Sequence, residues 1–199
     1  MSTNQLLFIH GGEVFKTYED YIHFLKDLEI KSEDLDKKRW KDSLAAELGN
    51  EFEVIRPQMP CAVNAKFAEW KIYFEHFLPF LRDGVILMGH SLGGIFLAKY
   101  LAENDFPVKI KATILVAAPF EDDFEPLGDF NFSTDLAKLN EQGGEIVLVQ
   151  SQDDKVVPFF HFEKFTAALP QSKTIIFTDR GHFLQESFPE MVELVKGMV

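Results

Sequence analysis

Gly89-His90-Ser91-Leu92-Gly93-Gly94 lies between an apolar run, Val85-Ile86-Leu87-Met88, and a helical pattern from Ile95 to Ala102. A strand that turns sharply into a helix accounts for this order of residues. Glycines flank the turn because a Cβ there would clash with the neighbouring arm. Ser91 is then held in strained backbone geometry, with its hydroxyl exposed at the carboxyl edge of a sheet. The N–H of Leu92 falls at the helix start, where unpaired donors and the dipole favour a developing negative charge.

Working outward, strands and helices alternate along the chain. Leu6 to His10 reads as a strand ended by Gly11-Gly12, and Phe52 to Arg56 as a strand closed by Pro57. Ile110 to Ala117, Glu145 to Gln150 and Lys173 to Phe177 read as further strands. Tyr18, Tyr21, Ile22, Leu25 and Leu28 recur at helical spacing over 18–30. Ser32 is placed to cap a second helix that reaches Leu48 and stops at Gly49-Asn50. Phe67, Trp70, Phe74, Phe77, Leu78 and Leu81 form one core-facing stripe over 64–81. Phe159 to Leu169 and Ser187 to Met198 complete the helices. The pattern predicts an α/β fold, a three-layer α/β/α sandwich around a mostly parallel sheet of about six strands. With no repeat or linker, residues 1–199 read as a single domain.

Composition narrows the function classes. At 199 residues, 46% hydrophobic and 26% charged, the chain has the makeup of a globular protein. Its net charge of −12 repels nucleic-acid phosphates and anionic membranes, so neither is an expected partner. No segment approaches a membrane span, and no signal peptide is visible, which makes the cytoplasm the expected location. The single cysteine, Cys61, excludes an intrachain disulfide and a cysteine metal site, and reads as a buried, inert thiol. No cofactor and no metal are expected.

Residues 120–144 break the rhythm. They hold Glu121, Asp122, Asp123, Glu125 and Asp129, with Phe120, Phe124, Phe130 and Phe132 among them. The stretch reads either as a small cap beside the site or as a solvated acidic loop with buried Phe anchors.

A serine hydroxyl needs a base. Of six histidines, His23 and His76 fall inside helices, His161 follows Pro158 in a helix, and His10 and His90 read as orienting or packing residues. His182, in Thr178-Asp179-Arg180-Gly181-His182-Phe183, follows the last strand, where ligands gather in such sheets. It is the candidate base. The base requires a buried carboxylate to hold its tautomer. Asp153 and Asp154 both follow the strand ending at Gln150, and the Asp154-Lys155-Val156-Val157-Pro158 turn favours Asp154, with Asp153 as a loop or capping residue. The resulting order is Ser91, Asp154, His182.

That order, with His10-Gly11-Gly12, the Ser91 turn, Asp154 to Pro158 and Gly181-His182-Phe183, resembles the α/β-hydrolase superfamily across nearly the whole chain. More narrowly it is similar to the small esterase-like branch related to the retinoblastoma-binding serine hydrolase. The resemblance implies a fold shortened at its N-terminus, starting at the family's third strand near Leu6, with a small cap. It also implies a second oxyanion donor after His10-Gly11, on Gly12 or its neighbour Glu13. The segment from Phe15 to Gly49 departs from the pattern, since it is long enough for two helices and can shape the entrance.

The expected chemistry is hydrolysis of a carboxylic ester or related acyl bond through an acyl-enzyme, on small or medium acyl substrates, by a monomer or homodimer. The alternative is a protein-binding module on a hydrolase fold with little or no catalysis.

Overall fold

A computed structural model of the protein describes residues 3–32, 35–121, 127–131 and 135–199. Six strands make one sheet: β1 (Asn4–Ile9), β2 (Phe52–Ile55), β3 (Val85–His90), β4 (Ile110–Val116), β5 (Glu145–Ser151) and β6 (Lys173–Phe177). Their spatial order is β2-β1-β3-β4-β5-β6, and every neighbouring pair is parallel.

Strand side chains alternate between two cores, as a period of two requires. Leu7, Ile9, Leu87 and Leu148 point to one face; Leu6, Phe8, Ile86, Met88, Val147 and Val149 point to the other. Helices cover both faces. On the first lie α3 (Phe67–Glu75), α4 (Leu92–Glu103), α5 (Ala137–Gln142) and α6 (Phe159–Ala168), contributing Trp70, Phe96, Leu139 and Phe165. On the second lie α2 (Trp40–Leu48) and α7 (Pro189–Lys196), contributing Trp40, Leu44, Met191 and Val195. The result is an α/β/α sandwich, buried on both faces as parallel sheets are. The remaining helix, α1 (Tyr18–Asp27), buries no residue and lies outside both cores.

The chain runs from β1 outward to β2, then returns across β1 to β3 and continues the other way. The carboxyl ends of β1 and β3 therefore flank the point where strand order reverses, and loops diverge there to leave a crevice.

Several expected boundaries move. The second helix begins at Trp40, so Ser32 does not cap it; Asp42 instead accepts the Arg39 N–H at 2.9 Å. The helix expected over 64–81 stops at Glu75, and a 3-10 turn spans Leu78–Phe80. Pro79 lacks the donor that continuation needs and restricts the residue before it. The helix after the Ser91 turn starts at Leu92, where the turn was expected to pass into it.

Within 120–144, residues 122–126 and 132–134 lie outside the described residues, so much of the acidic cap expectation falls there. What is described is anchored. Phe130 is fully buried against Phe67 and Trp70, and α5 packs on α4. Cys61 is exposed and stands in left-handed backbone at φ 48°, so the buried thiol expected from sequence is corrected. Among the described residues no helix is long and apolar enough to cross a membrane.

Candidate active site

Ser91 joins β3 to α4 with φ 55° and ψ −124°, outside the regions a serine ordinarily occupies. Such a conformation costs about 1–3 kcal/mol and persists only where its surroundings enforce it. Here the Ser91 N–H donates to the Val116 carbonyl at 2.8 Å. The flanking glycines let the arms of the turn close. A Cβ on Gly89 would lie 2.3 Å from the Gly93 carbonyl oxygen, and one on Gly93 would lie 2.3 Å from that of Ile9. Both are backbone atoms with no room to yield.

The three candidate side chains meet. His182 Nε2 is 2.9 Å from Ser91 Oγ, and His182 Nδ1 is 2.8 Å from Asp154 Oδ2. The partners assign the tautomer: Nδ1–H donates to the carboxylate, leaving Nε2 to accept from the hydroxyl. The Asp154 side chain is fully buried, and its Oδ1 accepts the Val156 and Val157 N–H groups at 2.8 and 3.0 Å. Those donors and the imidazole hold its charge out of water.

Asp153 has a different task. Its Oδ1 accepts the Gly181 N–H at 2.9 Å and the Ser151 hydroxyl, while Ser151 Oγ accepts the Arg180 N–H at 3.0 Å. The Ser151 bond leads in holding the Asp153 carboxyl below its usual range. Thus Asp153 secures the loop and Asp154 faces the imidazole. The loop is also anchored from behind, where Trp40 Nε1–H donates to the Phe183 carbonyl at 2.8 Å. Phe183 stacks on Phe188, with ring centroids 5.3 Å apart.

His90 is buried, and its Nε2–H donates to the His182 carbonyl at 3.0 Å. Burial pushes it well below the ordinary imidazole value, so it is neutral. His10 bridges two loops: Nε2 accepts the Met59 N–H at 2.9 Å, and Nδ1–H donates to the Gly11 carbonyl at 2.6 Å. Burial lowers its pKa too. Both act as fixed hydrogen-bonding groups.

Gly12 and Leu92, the expected oxyanion donors, line the same cavity as Ser91. Leu92 N–H is the first of α4 and has no helical acceptor. Of the two alternatives after Gly11, the Glu13 N–H is committed to the Ala62 carbonyl at 2.8 Å. Gly12 N–H makes no hydrogen bond among the described residues, and Gly12 shares a cavity with Ser91 and Leu92. Its neighbour Gly11 approaches so closely that a Cβ there would lie 3.1 Å from Ser91 Cβ.

That cavity has a volume of about 780 Å³. Val14, Phe15, Phe24, Leu127, Val157 and Pro158 give it apolar walls, while Lys16, Asp20, Glu121 and Lys155 stand among its polar lining. Helix α1 contributes Asp20, His23 and Phe24, so the unusual 15–49 segment does form part of the enclosure. Sequence reasoning gave no site role to His23, which is exposed on α1, or to His161, which is buried, yet both line the cavity. The His161 Nδ1 accepts the Phe120 N–H at 3.1 Å. Among the described residues no three His, Cys, Asp or Glu side chains gather as metal ligands.

Comparison with known proteins accords with this architecture. Residues 32–196 match the family model for serine hydrolases. The chain is 30% identical over 156 residues to serine hydrolase RBBP9 of Rattus norvegicus, a match covering 74% of this chain and 78% of that one. The structure of the ydeN gene product of B. subtilis superposes with a TM-score of 0.79 at 19% identity, covering 98% of both chains. A putative YdeN-like hydrolase from Pectobacterium atrosepticum superposes with a TM-score of 0.64 at 16% identity, over 98% of this chain and 93% of that one. The chain belongs to the serine hydrolase family, within the α/β-hydrolase superfamily and related to RBBP9.

Proposed function

We propose that this protein hydrolyses carboxylic esters or closely related acyl bonds through Ser91, His182 and Asp154. The observation that carries the reading is the unbroken hydrogen-bonded line from Ser91 Oγ through both His182 nitrogens to Asp154. Ser91 Oγ attacks the carbonyl carbon as its proton passes to His182 Nε2. Asp154 stabilises the imidazolium and keeps the ring in its tautomer. The oxyanion accepts hydrogen bonds from the Gly12 and Leu92 N–H groups, each worth about 3 kcal/mol in the transition state. The imidazolium then protonates the leaving alkoxide. Water attacks the acyl-enzyme with His182 as base and releases the acid.

A cavity of about 780 Å³ is within the range of small-molecule sites. Its apolar walls suit the hydrocarbon part of a small or medium acyl ester.

Labelling with a fluorophosphonate, followed by turnover of esters of graded acyl length, tests the proposal. Wild type should label and turn over, and Ser91→Ala should do neither. A folded wild type that resists the probe and cleaves no ester would overturn the reading in favour of a binding module.

A further inference from the structure

A second cavity, of about 250 Å³, is lined in part by His10 and shares no lining residue with the Ser91 cavity. Phe8, His10, Lys41, Asp42, Arg56 and Pro57 line it. Its charges are unusual for a chain of net charge −12. Lys41, in the first turn of α2, makes no ion pair or hydrogen bond with any described residue. Arg56, just past β2, reaches Asp42 only at 3.4 Å and lies over the Phe8 ring at 5.9 Å. Asp42 is the one acid in the lining, and it is shared with the Arg39 N–H. The Arg39 guanidinium is turned away to the Leu184 carbonyl. His10 adds no charge, because both its nitrogens are committed.

Two cations thus face one space with a single, divided counter-charge. Burial and the neighbouring Arg39 and Arg56 push the Lys41 amine below its ordinary value. A multivalent anion relieves that repulsion, and a guanidinium fork beside an ammonium suits phosphate oxygens. The positive end of α2 adds to the attraction. We propose that this cavity binds a small oxyanion of the phosphate class between the Lys41 ammonium and the Arg56 guanidinium.

The site is distinct from the Ser91 cavity and does not depend on the proposed hydrolysis. It is nevertheless coupled to it through His10, which holds the Gly11 carbonyl with one nitrogen and lines the second cavity. Occupancy would tie α2, the end of β2 and the His10 loop together.

The test uses the intact chain and inorganic phosphate at constant ionic strength. Two signals are followed: the thermal unfolding midpoint, and the rate at which an amine reagent labels Lys41, read by mass spectrometry with Lys16 as internal control. Phosphate should raise the midpoint saturably and slow labelling of Lys41 about fivefold or more while sparing Lys16. Lys41→Gln and Arg56→Gln should each weaken the midpoint shift by about tenfold in phosphate concentration, and Ser91→Ala should retain it. Glycerol 3-phosphate acting at lower concentration than inorganic phosphate assigns the site to a phosphate monoester; the reverse assigns it to the free ion. The proposal falls if Lys41 labels equally fast with and without phosphate, if chloride reproduces the effect, or if both variants bind as wild type does. The labelling arm needs only wild type, so a poorly folding variant does not protect the proposal.

Discussion

The Asp153 carboxylate accepts the Gly181 N–H at 2.9 Å, one residue before, in both loops, the contact of Asp154 with His182. Adjacent carboxylates on the β5 loop therefore grip adjacent residues on the β6 loop. Only the second grip reaches an imidazole, and this separates the two acids by function.

Asp154→Asn should lower kcat by about 10⁴, because an amide cannot hold the required tautomer or stabilise the imidazolium. Asp153→Asn keeps an oxygen acceptor for Gly181 and should change kcat by no more than about threefold, whereas Asp153→Ala frees the loop and should cost about tenfold. Steady-state kinetics on one ester for all three variants checks the order. Equal losses in the two Asn variants would overturn the assignment.

Gly12→Ala should cost about 10² in kcat with little change in KM. An added Cβ would lie 2.5 Å from the Ala62 carbonyl oxygen, which forces the loop and its amide away from the oxyanion. A thermal midpoint measured beside the kinetics distinguishes this from unfolding. Turnover equal to wild type would remove Gly12 from the site.

His161→Ala should raise KM more than it lowers kcat, since His161 lines the cavity and holds the Phe120 N–H but stands outside the Ser91 chain. His182→Ala should lower kcat by about 10³ or more. A comparable kcat loss in both variants would mean that the base is misassigned.

Stability should fall as the solution is acidified from near neutrality. Desolvation holds both His10 and His90 below the ordinary value of 6.5, so the unfolded chain binds protons that the folded chain refuses. Their full contribution is therefore present above about pH 6.5 and is lost progressively as pH falls toward the lower folded values. Urea midpoints measured at about pH 7.5 and about pH 5.5 should differ, with the lower value at the lower pH, and His90→Gln should shrink the difference. A flat profile across that interval would show that these imidazoles protonate freely in the fold.

Trp40→Phe should destabilise by about 1–3 kcal/mol and slow turnover, because the Phe183 carbonyl loses its buried indole donor next to His182. Denaturant unfolding and kcat together check it; loss of stability with unchanged kcat would detach this anchor from the base.

Much of the sheet is legible because short continuous apolar runs such as Val85 to Met88, bounded by turn residues, mark strands buried on both faces. The helix over 64–81 was overextended because its apolar stripe continues to Leu81 while Pro79 stops the helix earlier, and periodicity is blind to a missing donor. The helix at Ala137–Gln142 leaves no clear mark in the sequence because six residues carry too little period; burial of Leu139 and packing on α4 stabilise it. Cys61 looked buried by residue type, yet its left-handed backbone places it on an exposed turn.

The order of Ser91, Asp154 and His182, and the glycines that let one turn close, are properties of the sequence itself, since steric rules act within a few residues. That Asp153 holds the Gly181 N–H beside the triad, how the indole of Trp40 reaches Phe183 across 143 positions, and how Lys41 and Arg56 come to line one cavity belong to tertiary structure. Those relationships arise from the packing of elements remote in sequence, and no local rule of spacing or propensity extends that far.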